Sequence, residues 1–238
     1  MRKILLILGA SSEMGIAFIN SEINKYDYII AHYNSNADSL LQLRERYPKK
    51  IELKKADFYN VQDIQKFADE IANTNPPNYI IHFPAVRCKL KKFDKTLISE
   101  FEKNMQVSVN SIIIILQKLL PIMVKAHYGK VVFILSINTI ADTHKYITDY
   151  VTAKFALLGL LKSLSAEYKD KGIRINGISP DTVETKFISE LPQIVIDNRR
   201  NEDASKGLLT ASDIVPTIAY LLDEGSDCLY GENIGVTR

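Results

Sequence analysis

This chain of 238 residues predicts an α/β fold, a doubly wound parallel sheet of about seven strands with helices on both faces. Three observations carry the prediction. Short apolar runs alternate with stretches of helical periodicity from end to end. The runs are continuously apolar, as strands buried on both faces require. The 46% hydrophobic content suits one large core, and no Pro-, Gly- or Ser-rich linker divides residues 1–238, so a single domain is expected.

Strands fall near residues 2–8, 28–33, 51–55, 78–82, 129–135, 172–178 and 232–236, with helical patterns between them. The first, in MRKILLILGAS, runs straight into a turn and helix, which a secretory leader does not do. That turn is GASSEMG, Gly9 to Gly15, opening a helix at about Met14. A Gly-rich turn at a helix amino terminus presents amides to a pyrophosphate. Gly9 makes the turn, Gly15 lets helix and backbone approach closely, and Ser11 and Ser12 can bond phosphate or ribose. An ordinary strand-to-helix turn explains two glycines equally well, and the position after strand one weighs toward a nucleotide. Glu13 is expected to face solvent, because a carboxylate turned inward would repel a pyrophosphate.

The second strand ends AHYNSN, with no carboxylate before Asp38. An acid there would bond the ribose 2′-hydroxyl of NAD and repel the 2′-phosphate of NADP. Tyr33, Asn34 and Ser35 can instead donate to a phosphate, so NADP is the expected cofactor and NAD the alternative. His32 is expected to pack under the sheet edge. After the third strand, Asp57, followed by Phe58, either accepts from an adenine amino group or caps the next helix. After the fourth, HFPAV sets Pro84 and Ala85 against the adenosine side of the crevice. The run SIIIILQKLLPIMV is interrupted by Gln117 and Lys118 and reads as too short and too polar to span a membrane.

After the fifth strand come Ser136 and, fourteen residues on, Tyr150 in YVTAK, so a serine hydroxyl, a tyrosine hydroxyl and a lysine ammonium can converge on one carbonyl carbon. Tyr150 and Lys154 share a helix face. A nearby cation favours phenolate and lowers a pKa that starts near ~10. A lone Tyr-x-x-x-Lys pair arises about once by chance in a chain of this composition, so its context decides. After the sixth strand, INGISPDTVET is expected over a nicotinamide ring: Pro180 fixes the turn, Thr182 and Val183 follow, and Thr185 reaches an amide or phosphate. Residues 181–210 read as a substrate loop or lid with Phe187, Ile188, Leu191, Ile194, Val195 and Ile196 on an apolar inner face. Arg199 and Arg200 could meet an acyl-carrier phosphopantetheine or an acidic partner, but solvated surface arginines are the commoner case and are expected here.

Taken in order, GASSEMG, Asp57, HFPAV, QVSVNSIIIILQKLLPIM, Ser136, YVTAK, INGISPDTVET and GENIGVT resemble the short-chain dehydrogenase/reductase superfamily in its short single-domain form, over nearly the whole chain. The resemblance implies a Rossmann-like fold and an NAD(P)-dependent oxidoreductase. Tyr150 would be the general acid/base, Lys154 would bind the nicotinamide ribose and lower the tyrosine pKa, and Ser136 would orient the substrate carbonyl. It also implies departures. Glu13 stands where the family has a glycine, Ser108 where a helix-four asparagine completes a catalytic tetrad, and HFPAV where Asn-Asn-Ala-Gly is usual. Asn110 lies about 200° around the helix from Ser108 and cannot simply replace it.

The predicted activity is NADPH-dependent reduction of a ketone, of the 3-oxoacyl type or another carbonyl, to a secondary alcohol. The alternative is a nucleotide-binding sensor or scaffold that kept the fold and lost catalysis; an epimerase or dehydratase with tightly held NAD fits the length and strand-two ending poorly. Broad apolar faces on the helices spanning 108–125 and 150–168 lead us to expect a homodimer or homotetramer. A net charge of +2 with interspersed signs gives no reason to expect a nucleic-acid or membrane partner. Cys88 and Cys228 are too few for a disulfide framework or a metal cluster, so no metal and a cytoplasmic location are expected.

Overall fold

The computed structural model describes residues 1–202 and 207–238. Its strands are β1 (Ile4–Leu8), β2 (Tyr28–Tyr33), β3 (Ile51–Lys55), β4 (Tyr79–His82), β5 (Gly129–Ile134), β6 (Ile173–Pro180) and β7 (Asn233–Val236). The helices are α1 (Glu13–Glu22), α2 (Asp38–Arg46), α3 (Val61–Thr74), α4 (Ile98–Met105), α5 (Ser111–Lys125), α6 (Thr148–Tyr168), α7 (Gln193–Glu202) and α8 (Ala211–Leu222). The strands form one sheet in the order β3-β2-β1-β4-β5-β6-β7, and every pairing is parallel. The seven-stranded, Rossmann-like sheet is the fold the sequence predicts.

The central strands β1, β4 and β5 are covered on both faces. Along β1, Ile4, Leu6 and Leu8 enter the core beneath α3, α5 and α6, while Leu5 and Ile7 enter the opposite core with Phe18, Leu40 and Ile218 from α1, α2 and α8. Full burial of each such aliphatic side chain is worth about 1.5–3 kcal/mol, which is why an uninterrupted apolar run is stable only as a central strand. The chain runs outward from β1 through β2 to β3, then returns to β4 on the other side of β1. That reversal opens a crevice at the carboxyl ends of β1 and β4.

A single π turn, Gln106–Asn110, joins α4 to α5. The resulting continuous helix, Ile98–Lys125, is long and apolar enough to cross a membrane by length and composition, which corrects the reading of its apolar run as too short. Half of it is buried inside the fold, with Ile112, Ile115, Leu116, Leu119 and Met123 in the sheet core. Here the apolar stripe covers a sheet face.

The segment expected as a lid contains a 3₁₀ turn at Lys186–Ile188 and α7. Ile188 and Leu191 form a small separate core with Cys88, Ile147 and Leu208, against which Phe187 and Ile196 pack. Ile194 is 67% exposed, so it lies outside the predicted apolar inner face. Positions 203–206 of the predicted lid lie outside the described residues.

Candidate active site

Two cavities meet beyond the carboxyl ends of the central strands. The larger, an open cleft of about 1130 Å³, lies at the topological crevice and contains Gly9, Ser11 and Ser12 from the first turn. Gly9 has φ +72°, a conformation that glycine adopts without a Cβ penalty. A Cβ on Gly15 would lie 2.5 Å from the Ala10 carbonyl oxygen, so this glycine serves close packing and does not itself line the cleft. Ser12 caps α1, its Oγ accepting from the Gly15 N–H at 3.1 Å. The helix therefore begins at Glu13, one residue before the expected start. Gly15→Ala is expected to cost about 1–3 kcal/mol by overpacking. The displaced turn should also weaken dinucleotide binding by about tenfold, as read by denaturant unfolding and calorimetric titration.

Asn34, Ser35, Asp57, Phe58, Pro84 and Ala85 also line this cleft. Asp57 does not cap the following helix: its Oδ1 accepts from the Tyr59 N–H at 2.9 Å, and Asn60 caps α3. Tyr33 is absent from the cleft lining and packs into the core beneath α1, α2 and α8. Strand alternation explains the correction, since Ile29, Ala31 and Tyr33 share one face of β2 and His32 takes the other.

His32 is more than packing. The Gly9 N–H donates to its Nδ1 at 3.0 Å, so the proton sits on Nε2, which faces the Ala56 carbonyl at 3.1 Å. The ring stacks on Phe58 with centroids 3.9 Å apart. Burial lowers its pKa to about 4, keeping the imidazole neutral and able to accept from the turn. It is 3% exposed, packed as expected, and it also lines the cleft.

The smaller pocket, about 100 Å³, brings together Ser136, Tyr150, Lys154, Pro180, Thr182 and Val183. Met14, Phe83, Ala85 and Thr185 line both cavities and form the passage between them. Ser136 lies two residues beyond β5 and caps a 3₁₀ turn. Its Oγ accepts from Asn138 Nδ2 at 2.9 Å, while Asn138 Oδ1 accepts from His144 Nδ1 at 2.8 Å. The serine oxygen is thus held as an acceptor and its own proton can be donated. Lys154 Nζ donates to the Ile134 carbonyl at 2.6 Å and lies 5.5 Å from the Tyr150 ring centroid.

The electrostatics differ from expectation in one respect. Burial holds the Tyr150 phenol above its usual pKa, with the Cys88 thiol adding to the rise, and this outweighs the lowering by Ser136 and Arg199. Burial also lowers Lys154 to about 8. With the cleft open and its ammonium bonded to a backbone carbonyl, the lysine does not dominate the tyrosine as helix spacing alone suggests.

Ser108 lies in the π turn, 1% exposed, and lines neither cavity. Its carbonyl accepts from His82 Nε2 at 2.8 Å, leaving His82 Nδ1 buried without a partner among the described residues. Thus the first residue of HFPAV anchors the helix irregularity. Asn110 is no substitute: it is exposed and donates to Gln106 Oε1. Asn138, His144, Cys88 and Arg199 line the pocket without having been singled out as site residues. Residues 137–147 carry no periodic signal, and Arg199 sits in the charged run NRRNED.

The glycine cradle, the crevice and the Ser-Tyr-Lys group lie along one continuous pair of cavities. Residues 9–237 match the family model described as Enoyl-(acyl carrier protein) reductase, and the chain belongs to the short-chain dehydrogenase/reductase superfamily. It is 28% identical over 155 residues to xanthoxin dehydrogenase of Arabidopsis thaliana, covering 58% of this chain and about half (52%) of that relative. It is 26% identical over 239 residues to the 3-oxoacyl-[acyl-carrier-protein] reductase FabG of Buchnera aphidicola subsp. Baizongia pistaciae, covering 99% and 96% of the two chains. The fold is shared with a 4-hydroxyisoleucine dehydrogenase mutant complexed with NADH and succinate (TM-score 0.89, 22% identity, 98% and 96% covered). It is also shared with a gluconate 5-dehydrogenase from Burkholderia cenocepacia J2315 in complex with NADP and tartrate (TM-score 0.86, 18% identity, 98% and 93% covered).

Proposed function

We propose that this oxidoreductase interconverts a ketone and a secondary alcohol on a small molecule, with NADPH as the preferred reductant and Tyr150 as the proton donor. The observation that carries the reading is the meeting of Ser136, Tyr150 and Lys154 in a pocket joined to the glycine-lined cleft. Gly9, Ser11 and Ser12 would hold the pyrophosphate, and Asn34 and Ser35 the adenosine ribose; Pro180, Val183 and Thr185 would face the nicotinamide. A bound nicotinamide dinucleotide supplies hydride to the carbonyl carbon, or takes it back in the reverse direction. Ser136 donates to the carbonyl oxygen and fixes its direction. As the C=O π bond breaks, that oxygen takes the Tyr150 proton. Lys154 stabilises the phenolate left behind, and this becomes effective once its ammonium is drawn from the Ile134 carbonyl.

NADPH is favoured because the turn after β2 offers Asn34 and Ser35. The first carboxylate beyond them, Asp38, receives a hydrogen bond from Asn36 Nδ2 at 3.1 Å. Titration with NADPH and NADH, followed by calorimetry, tests this: NADPH is expected to bind at least about tenfold more tightly. Tighter NADH binding would reverse the cofactor assignment, and binding of neither would favour the non-catalytic reading. Assembly as a dimer or tetramer accords with the exposure of Phe155 on α6 and of Leu97 and Ile98 at the start of α4.

A further inference from the structure

We propose that Arg199 anchors a carboxylate of the substrate, so that the natural substrate is a short oxo acid or the corresponding hydroxy acid. The inference rests on the carbonyl-reductase reading above and names the substrate class for that site. Arg199 lies near the end of α7, is half-buried, and lines the same small pocket as Ser136 and Tyr150.

Its neighbour gives the contrast. Arg200 is neutralised by Glu184 at 2.8 Å and Asp197 at 3.1 Å. Arg199 has no carboxylate within salt-bridge distance among the described residues; its one hydrogen bond runs from Nη1 to the neutral Thr182 Oγ1 at 3.0 Å. A guanidinium has five donors and binds carboxylate through two of them at once, so one bond to a hydroxyl leaves most of its capacity unused. A half-buried cation with no counterion among the described residues calls for one from the ligand. The proximity is electrically felt: Arg199 acts downward on the pKa values of both Tyr150 and Cys88.

The remaining walls set the size. Ile147, Ile188 and Leu191 are apolar, and about 100 Å³ leaves room for only a short carbon chain between the serine-tyrosine pair and the guanidinium. Asp181, the one carboxylate lining the pocket among the described residues, accepts from the Thr182 N–H at 2.6 Å and makes no ion pair with Arg199. A neutral ketone of equal size would fill the apolar space and leave Arg199 uncompensated; an oxo acid satisfies both ends. Only the recognition differs: the carbonyl still gains hydride and proton as described.

The test uses cofactor-loaded wild type, Arg199→Gln and Arg199→Lys with oxo acids of three to six carbons and their methyl esters. Succinate is the binding probe, read by calorimetry, and retained cofactor affinity shows that each variant is folded. Wild type is expected to favour acid over ester in kcat/KM by about 10- to 100-fold, chiefly through KM. Arg199→Gln should bring that ratio toward one and abolish succinate binding, with Arg199→Lys intermediate. An unchanged ratio in Arg199→Gln, or a wild-type preference for esters, overturns the proposal while leaving the reductase reading intact. Arg199-dependent succinate binding without turnover of any acid, ester or neutral ketone supports the carboxylate site and overturns the reductase reading. Absence of both overturns both.

Discussion

Tyr150→Phe is expected to lower kcat by about 10²–10⁴-fold, the usual contribution of a positioned general acid. It should leave cofactor affinity within about threefold, because the lost hydroxyl faces the pocket shared with Ser136 and not the glycine turn. Stopped-flow turnover beside calorimetric cofactor titration measures both. Parallel loss of binding and turnover would mean that the phenol is structural; retained turnover would remove it from the mechanism. The structure adds a second expectation about pH. Since burial favours the neutral phenol, Tyr150 is stocked with its proton throughout the neutral range. Ketone reduction should therefore persist across that range, whereas alcohol oxidation, which needs the phenolate, should climb as pH rises.

The second large effect is on stability. His32 and His82 are 3% and 0% exposed, and burial lowers their pKa values to about 4 and about 3. In the unfolded chain each binds a proton near pH ~6.5. Below that pH the unfolded state holds more protons than the native one, so stability falls as pH falls. Each histidine costs about 1.4 kcal/mol per pH unit, or about 2.7 kcal/mol per unit together, until native His32 titrates near pH 4 and, lower, His82 near pH 3. Urea unfolding between pH 7 and 4 should show this slope, and His32→Asn with His82→Asn should flatten it. A slope unchanged in the double variant would assign acid sensitivity to other groups. Asp213, lowered to about 2 by the Thr210 N–H and Arg238, loses its contribution only below its ordinary range and does not confound the window.

Much of the fold was legible because β1, β4 and β5 are buried on both faces and are therefore predominantly apolar, with buried His82 and Lys130 as the exceptions in β4 and β5. The glycine turn was legible for a related reason: a positive φ at Gly9 and a backbone contact at Gly15 leave few residue types able to stand there. What sequence spacing missed depends on three-dimensional neighbours. Lys154 and Tyr150 do share a helix face, but spacing carries no information on the dielectric around them, and burial of the phenol outweighs the lowering by Ser136 and Arg199. Tyr33 was misplaced although strand alternation assigns it to the opposite face from His32. Arg199 and Arg200 are adjacent and chemically identical, so only the helix direction and the positions of Glu184 and Asp197 distinguish the compensated arginine from the other. The separation of about 200° between Asn110 and Ser108 assumed a regular α-helix, and the π turn Gln106–Asn110 alters that residue-to-angle relation.

Glu13 occupies the first turn of α1 and accepts the backbone N–H of Lys186 at 2.8 Å, joining the phosphate turn to the segment that carries Phe187, Ile188 and α7. The residue is exposed, yet it lines the dinucleotide cleft and its carboxylate is committed to that bond. A glycine at this position could make no such bond. The consequence belongs to kinetics. Any dinucleotide that repositions the first turn pulls on the wall of the substrate pocket, so the two sites should fill in a compulsory order, cofactor first, with product departing before the spent dinucleotide.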